Sequence, residues 1–376
     1  MAKRIVVIGG GFFGIWCANK LLATKKDYDI TLISKSKFAY FLISSVRVSV
    51  ENDTDRSLYP LTELVKEGIR IVQDEVMLMK EDSVELKQMG TLEFDALIIA
   101  TGAKWAAPIG YTHQFGDDYQ NYFANEHKKI EEAKHIVLIG GGYNNAELAG
   151  ELHDRYKEEL KKGSKKVTMI HSRQLMLPED GFYAEKLRKR VTEFYQNETD
   201  VRLILGTRAL ISDEDPNTIV AGTTTIKADL VYHSIGVEAS IPPHNFDNFT
   251  DAKGFIRVED TFQCTAIPKG NVFAIGDVAN FNYKGLVARR GWYAAVVHNV
   301  QRVLSDPDCP LDKLKKCDRK PYHITSIVSL GAYAGCGQLF TIPYFNYTVM
   351  LPEWFCRLQK SKDMGRRFAK WLFANG

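Results

Sequence analysis

Three glycines near the start of the chain have the spacing of a diphosphate cradle. They are Gly9, Gly11 and Gly14, in the stretch VVIGGGFFGIW. Gly9 permits a tight turn, Gly11 lets backbone approach a pyrophosphate, and Gly14 lets a helix pack closely on a strand. Gly10, Phe12 and Phe13 complete the turn. Its free N–H groups would meet phosphate at the positive end of the helix dipole. The pattern returns about 130 residues on as IVLIGGGYNNAELAG, with Gly140, Gly142 and, in place of the third glycine, Asn145. Asn145 predicts looser helix–strand packing and a weaker or wider site. Two such turns suggest two dinucleotides, a flavin held permanently and a nicotinamide nucleotide that comes and goes.

A dinucleotide unit usually carries an acid at the end of its second strand, for the ribose hydroxyls. The first unit has Ser34 and Lys35 there, and the second has His171, Ser172 and Arg173. Ser34 can serve only as a neutral partner. An acid would repel a 2′-phosphate, whereas His171 or Arg173 could bind one. NADPH is therefore as plausible a substrate as NADH. Both basic residues also read as an ordinary solvated strand end.

The elements that would position these residues alternate strand and helix. Residues 4–8 form a short β-branched run, 12–24 a helix pattern and 30–33 a second strand, the context that strengthens a glycine motif. Residues 61–87 alternate as hairpins do. FDALIIA, 94–100, is a buried strand leading into Ala100, Thr101 and Gly102. The unit then restarts with a strand at 134–139, a helix at 145–160 and a strand at 167–170. ADLVYHS precedes Gly236, and NVFAI precedes Gly276 and Asp277. A helix is expected from near Lys284 to Leu304, its N-terminus turned to the flavin. A last segment opens with an alternating strand from Tyr322.

Composition bounds the class. The 376 residues predict two or three domains. With 49 basic and 46 acidic side chains the net charge is +3, which argues neither for nor against nucleic acid. Six scattered cysteines, without a C-x-x-C pair or zinc spacing, read as reduced thiols, and no metal site is expected. The first strand starts by Arg4, which leaves no room for a leader, and position 2 is not glycine, which argues against N-myristoylation. No apolar run reaches the roughly 18 residues of a membrane-spanning helix. The expected location is intracellular: cytoplasm, or the periphery of a membrane such as a mitochondrial or lipid-droplet surface.

The chain resembles the two-dinucleotide-binding-domain flavoproteins over nearly its whole length. The likeness rests on Gly9–Gly14, on ATG at 100–102, on GGGYNNAEL at 140–148 and on NVFAIGD at 271–277. It implies an α/β fold of the pyridine nucleotide-disulfide oxidoreductase type, with two Rossmann-like domains binding FAD and NAD(P)H. An FAD-binding domain of residues 1–125 and 234–315 would be interrupted by an NAD(P)H-binding domain, 126–233. A small α+β C-terminal segment, 316–376, would follow. Asp277 would hydrogen-bond the ribityl chain of FAD. Within that superfamily the chain is similar to the apoptosis-inducing-factor-like branch that includes ferroptosis suppressor protein. SVRVSV at 45–50, VTMIHS at 167–172, SLGAYAGCGQ at 329–338 and QKSKD at 359–363 carry this. By this resemblance Arg47 would sit against the flavin and Val76 against the adenine end. Lys360 would reach the flavin region, and Glu147 would face the nicotinamide, positioning its amide or relaying a proton. Ser34, Asn145 and the missing N-terminal glycine depart from the branch.

Disulfide reductases of the superfamily carry C-x4-C after the second strand. Here the corresponding residues 38–50, FAYFLISSVRVSV, hold no cysteine. A flavin in this chain would hand electrons directly to an acceptor, and the protein would supply orientation and electrostatics. Phe38, Tyr40, Phe41, Trp292, Tyr293, Tyr333 and Phe340 are candidate walls for a planar quinone. The tail adds Arg357, Lys360, Lys362, Arg366, Arg367 and Lys370 against Asp363, with Phe368, Trp371, Leu372 and Phe373 spaced for one helical face. Such a stretch reads as a peripheral membrane contact or as a cap on its own domain. It could also attract nucleic acid, although no recognition motif supports that.

The expected function is an FAD-dependent NAD(P)H:quinone oxidoreductase that passes a hydride to flavin N5. Rival readings are a reductase of a small electron-transfer protein, and a cell-death effector or redox sensor with incidental turnover.

Overall fold

The computed structural model describes residues 2–110, 118–234, 236–281, 291–307, 309–317, 325–342, 345 and 347–375. The β-branched run becomes the central strand Lys3–Ile8, buried from Ile5 onward and paired in parallel with neighbours on both sides. Burial on both faces is why it reads as continuous rather than alternating. The sheet order is Val272–Ala274, Ala96–Ile99, Lys3–Ile8, Tyr28–Ser34, Arg70–Gln73, all parallel. A second parallel sheet runs Arg202–Leu205, Lys166–His171, His135–Ile139, Leu230–His233. Its strands all fall within residues 135–233, whereas the first sheet draws strands from both sides of that stretch. Where the chain passes between the two sheets, Ala103–Lys104 pairs antiparallel with Glu238–Ala239.

Each parallel sheet carries an antiparallel meander. In the first unit it is Val76–Met79, Ser83–Leu86 and Gly90–Glu93. The alternating stretch 61–87 is thus only partly hairpin, since Arg70–Gln73 joins the parallel sheet. The C-terminal segment contributes Ser326–Ser329, Gly335–Ile342 and Tyr347–Leu351. The helix expected over 145–160 is Tyr143–Arg155, broken at the buried Tyr156 and followed by Lys157–Lys162. The late helix is Trp292–Ser305. Lys284, where it was expected to begin, and Tyr322, where the last strand was, lie outside the described residues.

Two apolar cores fix the units relative to each other. The first includes Ala369 and Phe373 from the tail. The second takes Val328, Leu330 and Met364 from the C-terminal segment, and Val46 and Val50 from the helix Ser45–Glu51. That short helix therefore belongs by sequence to the first unit and by packing to the second.

The tail is not one exposed amphipathic helix. Ala369–Asn375 buries Phe373, whose ring stacks on Phe12 at 4.0 Å and 10°, while Trp371 stays 52% exposed. Trp16 Nε1 donates to the Leu372 carbonyl at 2.7 Å. Arg366, Arg367 and Lys370 pair with Asp53, Asp363 and Glu63. The apolar residues expected on one face are divided between core and surface, because the first unit offers Phe12, Phe41 and Tyr59 as partners for Phe373.

Candidate functional site

Both glycine turns open on one cavity of about 2620 Å³. A pocket for one small ligand holds about 300–1,000 Å³, so this space suits more than one. Gly9, Gly10 and Gly11 form one wall with Phe12 and Phe13, and Gly140 and Gly142 form another. Gly11 and Gly142 stand at the N-termini of the helices Phe12–Leu22 and Tyr143–Arg155, with no side-chain cap on either. Their free N–H groups and dipole ends make anion seats.

The first turn fits a dinucleotide. Gly9 has φ +117°, and a Cβ there would lie 2.3 Å from the Ala100 carbonyl oxygen. A Cβ on Gly14 would meet the Gly9 oxygen at 1.9 Å, whereas one on Gly11 would meet nothing within 4 Å. Gly14 is small so that the protein can close, and Gly11 is small facing open space. Thr101 Oγ1 is buried on the same wall, between Ala100 and Gly102, without a hydrogen-bond partner among the described residues. Gly276 and Asp277 also line the cavity, Gly276 against Phe13, whose ring a Cβ there would meet at 2.9 Å, and Gly236 lies where the chain leaves the second sheet. Ser34 lies beneath the turn, its Oγ 2.7 Å from where a Gly10 Cβ would be, and Lys35 pairs with Glu75 at 2.6 Å.

In the second unit Asn145 is buried, and its amide donates to the carbonyls of Ile139 and Gly140 at 3.0 and 2.8 Å. The helix stands off from its turn and the amide bridges the gap, so the packing is stitched rather than loose. His171 lies against the turn: its Nδ1 accepts the Gly141 N–H at 3.0 Å. Burial lowers its pKa, helped by Arg188 and Arg173, so the ring is neutral with its proton on Nε2. Arg173 lines the cavity as an exposed side chain.

Glu147 and Lys360 meet at the cavity wall, Oε1 to Nζ at 2.5 Å, with side chains 5% and 14% exposed. The wide π turn Arg357–Ser361 presents Lys360 from the C-terminal segment. Its ammonium also donates to Tyr143 Oη at 2.8 Å and lies 4.5 Å from that ring's centroid. Ser329 N–H donates to Glu147 at 2.9 Å. Burial pushes the Glu147 carboxyl up, against the pull of Lys360. Burial, then Glu147, holds the Tyr143 phenol well above its usual range. The cluster is a hydrogen-bonded carboxylate, ammonium and phenol, able to hold or move a proton beside a bound ligand.

Arg47 and Val76 do not line the cavity. Val76 is core, at the start of the first meander. Arg47 is buried in a forked pair with Glu151, and it donates to the Ser361 and Lys362 carbonyls at 2.7 and 2.9 Å. The guanidinium fork matches a carboxylate, and a buried carboxylate recruited it. Among the aromatic candidates Phe38, Tyr40 and Phe41 line the cavity, whereas Trp292 packs on Phe262 and Phe281, and Tyr293 lies against Trp16. Tyr333 and Phe340 are exposed outside it. The sequence reading missed Tyr143, Glu151, Asp154 and Arg208. Glu147, Glu151 and Asp154 lie at i, i+4 and i+7, one face of a helix, and acids on a face shared with buried apolar residues were the available signal.

Comparison with known proteins agrees with this geometry. The sequence model of the family "Pyridine nucleotide-disulphide oxidoreductase" matches residues 3–301. The chain is 39% identical over 374 residues to Apoptosis-inducing factor 1 of Saccharomyces cerevisiae, covering 96% of each chain. It is 26% identical over 381 residues to Ferroptosis suppressor protein 1 of Homo sapiens, covering 96% of this chain and 94% of that one. The fold is similar to sulfide:quinone oxidoreductase from Aquifex aeolicus, with a TM-score of 0.77 at 18% identity over 100% of this chain and 92% of that one. It is similar also to NDH2 from Plasmodium falciparum in complex with NADH, with a TM-score of 0.66 at 14% identity over 100% and 98%.

Proposed function

We propose a quinone as the electron acceptor of this chain, which belongs to the pyridine nucleotide-disulphide oxidoreductase family and is an FAD-dependent NAD(P)H oxidoreductase. When bound, the flavin supplies the chemistry that joins a two-electron nicotinamide donor to a separate acceptor. The first glycine turn, Thr101 and Asp277 hold it, and the second glycine turn receives the nucleotide.

The observation that carries the acceptor is the wall built by the tail. Phe368, Trp371 and Leu372 line the cavity, with Phe368 and Trp371 still 37% and 52% exposed at its rim. A flat apolar molecule can enter past them and lie against Phe12. No cysteine among the described residues lines the cavity, so electrons take no thiol route there. The name of the Aquifex relative includes a quinone, which accords with this reading. In this reading Lys360 would supply a positive charge, and Glu147 a proton site, to an acceptor gaining electrons.

No helix among the described residues is long and apolar enough to cross a membrane. The half-exposed Phe368 and Trp371, with the exposed Arg367, Lys362 and Lys370 nearby in sequence, give the rim a character suited to a lipid surface, where quinones reside.

The test is steady-state oxidation of NADH and NADPH by the purified holoprotein with a short-chain quinone, a ferredoxin and a disulfide as separate acceptors. The reading expects turnover with quinone, and a raised quinone KM in Phe368→Ala and Trp371→Ala. Turnover confined to the protein or disulfide acceptor overturns it.

A further inference from the structure

The adenosine end of the second unit contains two positive charges that its own fold leaves unanswered. Arg173 follows the second strand of that sheet, and Arg208 follows the third. The two strand ends are tied together. His171 pairs in register with Leu205, Thr207 N–H donates to the His171 carbonyl at 3.2 Å, and Gly206 N–H donates to the Arg173 carbonyl at 2.9 Å. Gly206 takes φ +67° in this turn and bends the chain so that Arg208 comes back to the same cavity wall as Arg173. Both side chains are exposed there, and among the described residues neither has an ion-pair partner.

Two guanidinium groups on the lining of one cavity without a counterion favour the binding of an anion there. Nearby acids do not fill the role. Glu179 lies on the same wall, but its carboxylate is 3.5 Å from Arg188. The position at which an acid would bind ribose hydroxyls is occupied by His171, whose ring is drawn against Gly141 instead. A Cβ on Gly141 would lie 2.6 Å from that ring, so the imidazole is wedged in place. Beside Arg208, Leu210 lines the cavity with 61% of its surface exposed, an apolar surface suited to a purine face.

We propose that Arg173 and Arg208 form a 2′-phosphate site, and that the second unit takes NADPH in preference to NADH. The inference rests on the second glycine turn being the seat of the nicotinamide nucleotide. The diphosphate would lie at the Gly142 helix end, the adenine on Leu210, and the 2′-phosphate at the two arginines. His171 is a positioning residue, which fills the place of the acid and holds the turn.

The experiment is calorimetric titration of the holoprotein with adenosine 2′,5′-bisphosphate and with 5′-AMP, which differ by the one phosphate in question and need no turnover. The expected result is binding of the bisphosphate about a hundredfold tighter, with Arg173→Gln and Arg208→Gln each removing about tenfold of that advantage. Arg208→Lys is expected to restore part of it, and raised salt to narrow the gap between the two ligands. Equal affinities, or an advantage that survives Arg173→Gln/Arg208→Gln, overturn the 2′-phosphate site alone. Failure of both compounds to bind overturns the site and the placement of the nucleotide together.

Discussion

Arg47 and Glu151 lie 104 residues apart and form a forked ion pair, Nε to Oε2 and Nη2 to Oε1 both at 2.7 Å, with side chains 7% and 3% exposed. Arg47 comes from the helix Ser45–Glu51 and Glu151 from the helix Tyr143–Arg155. The same guanidinium reaches the carbonyls of Ser361 and Lys362, so one side chain joins both nucleotide units and the C-terminal segment. Removing one partner of such a pair leaves a buried charge uncompensated. Arg47→Ala is expected to destabilise the protein by about 3–5 kcal/mol in denaturant unfolding. Arg47→Met with Glu151→Leu is expected to recover most of that loss.

The same pair sets a pH dependence. Burial raises the Glu151 carboxyl from its ordinary 4.5 to about 7, against the pull of Arg47 and with a smaller push from Asp154 and Glu147. Between those values the folded protein holds a proton that the unfolded chain has released. Stability from this group is therefore greatest below pH 4.5 and falls as pH rises towards 7. Glu151→Gln is expected to lose less thermal stability than the parent protein between pH 5 and pH 8. An equal loss in both proteins refutes the assignment.

The two small residues of the first turn separate binding from folding. Gly14→Ala drives a methyl group into the Gly9 carbonyl and is expected to cost about 1–3 kcal/mol. Gly11→Ala meets no protein atom within 4 Å, and unfolding of the ligand-free protein is expected to change by less than about 0.5 kcal/mol. In the proposed flavin site its methyl group would stand where the pyrophosphate comes. Flavin absorbance per mole of protein should fall in both variants, and stability only in the first.

Lys360→Met removes the cation that holds the Glu147 carboxyl down, so that carboxyl is expected to rise further. Quinone turnover should drop by about a hundredfold, with the pH profile of kcat moved to higher pH and the nucleotide KM little changed. A uniform loss of kcat without a moved profile would indicate a purely structural contact.

The glycine turns were legible in the sequence because their signal is local. Strand, turn and helix lie within about twenty residues, and Gly14 answers a contact made inside that unit. The site's charges were not. Arg47 resembles a flavin contact until Glu151 is brought beside it, and the partner of Lys360 is 213 residues away. The tail misled for a related reason. Phe373 has the spacing of a lipid-facing residue, but the fold places Phe12 against it at a sequence separation that periodicity cannot register. Asn145 was read as a lapse in a motif, and only the two carbonyls it bridges explain its presence.

One face of the helix Tyr143–Arg155 is fastened three times. Glu147 holds Lys360 and the Ser329 N–H, Glu151 holds Arg47, and Asp154 holds the Ala332 N–H at 2.6 Å. Of the three, the Arg47–Glu151 pair ties the two nucleotide units directly, so a hinge opening between them would have to part a buried ion pair. Guests must therefore be admitted by rotamer changes at the mouth while the frame stays rigid, and crystals grown with and without nucleotide should superpose as a single body.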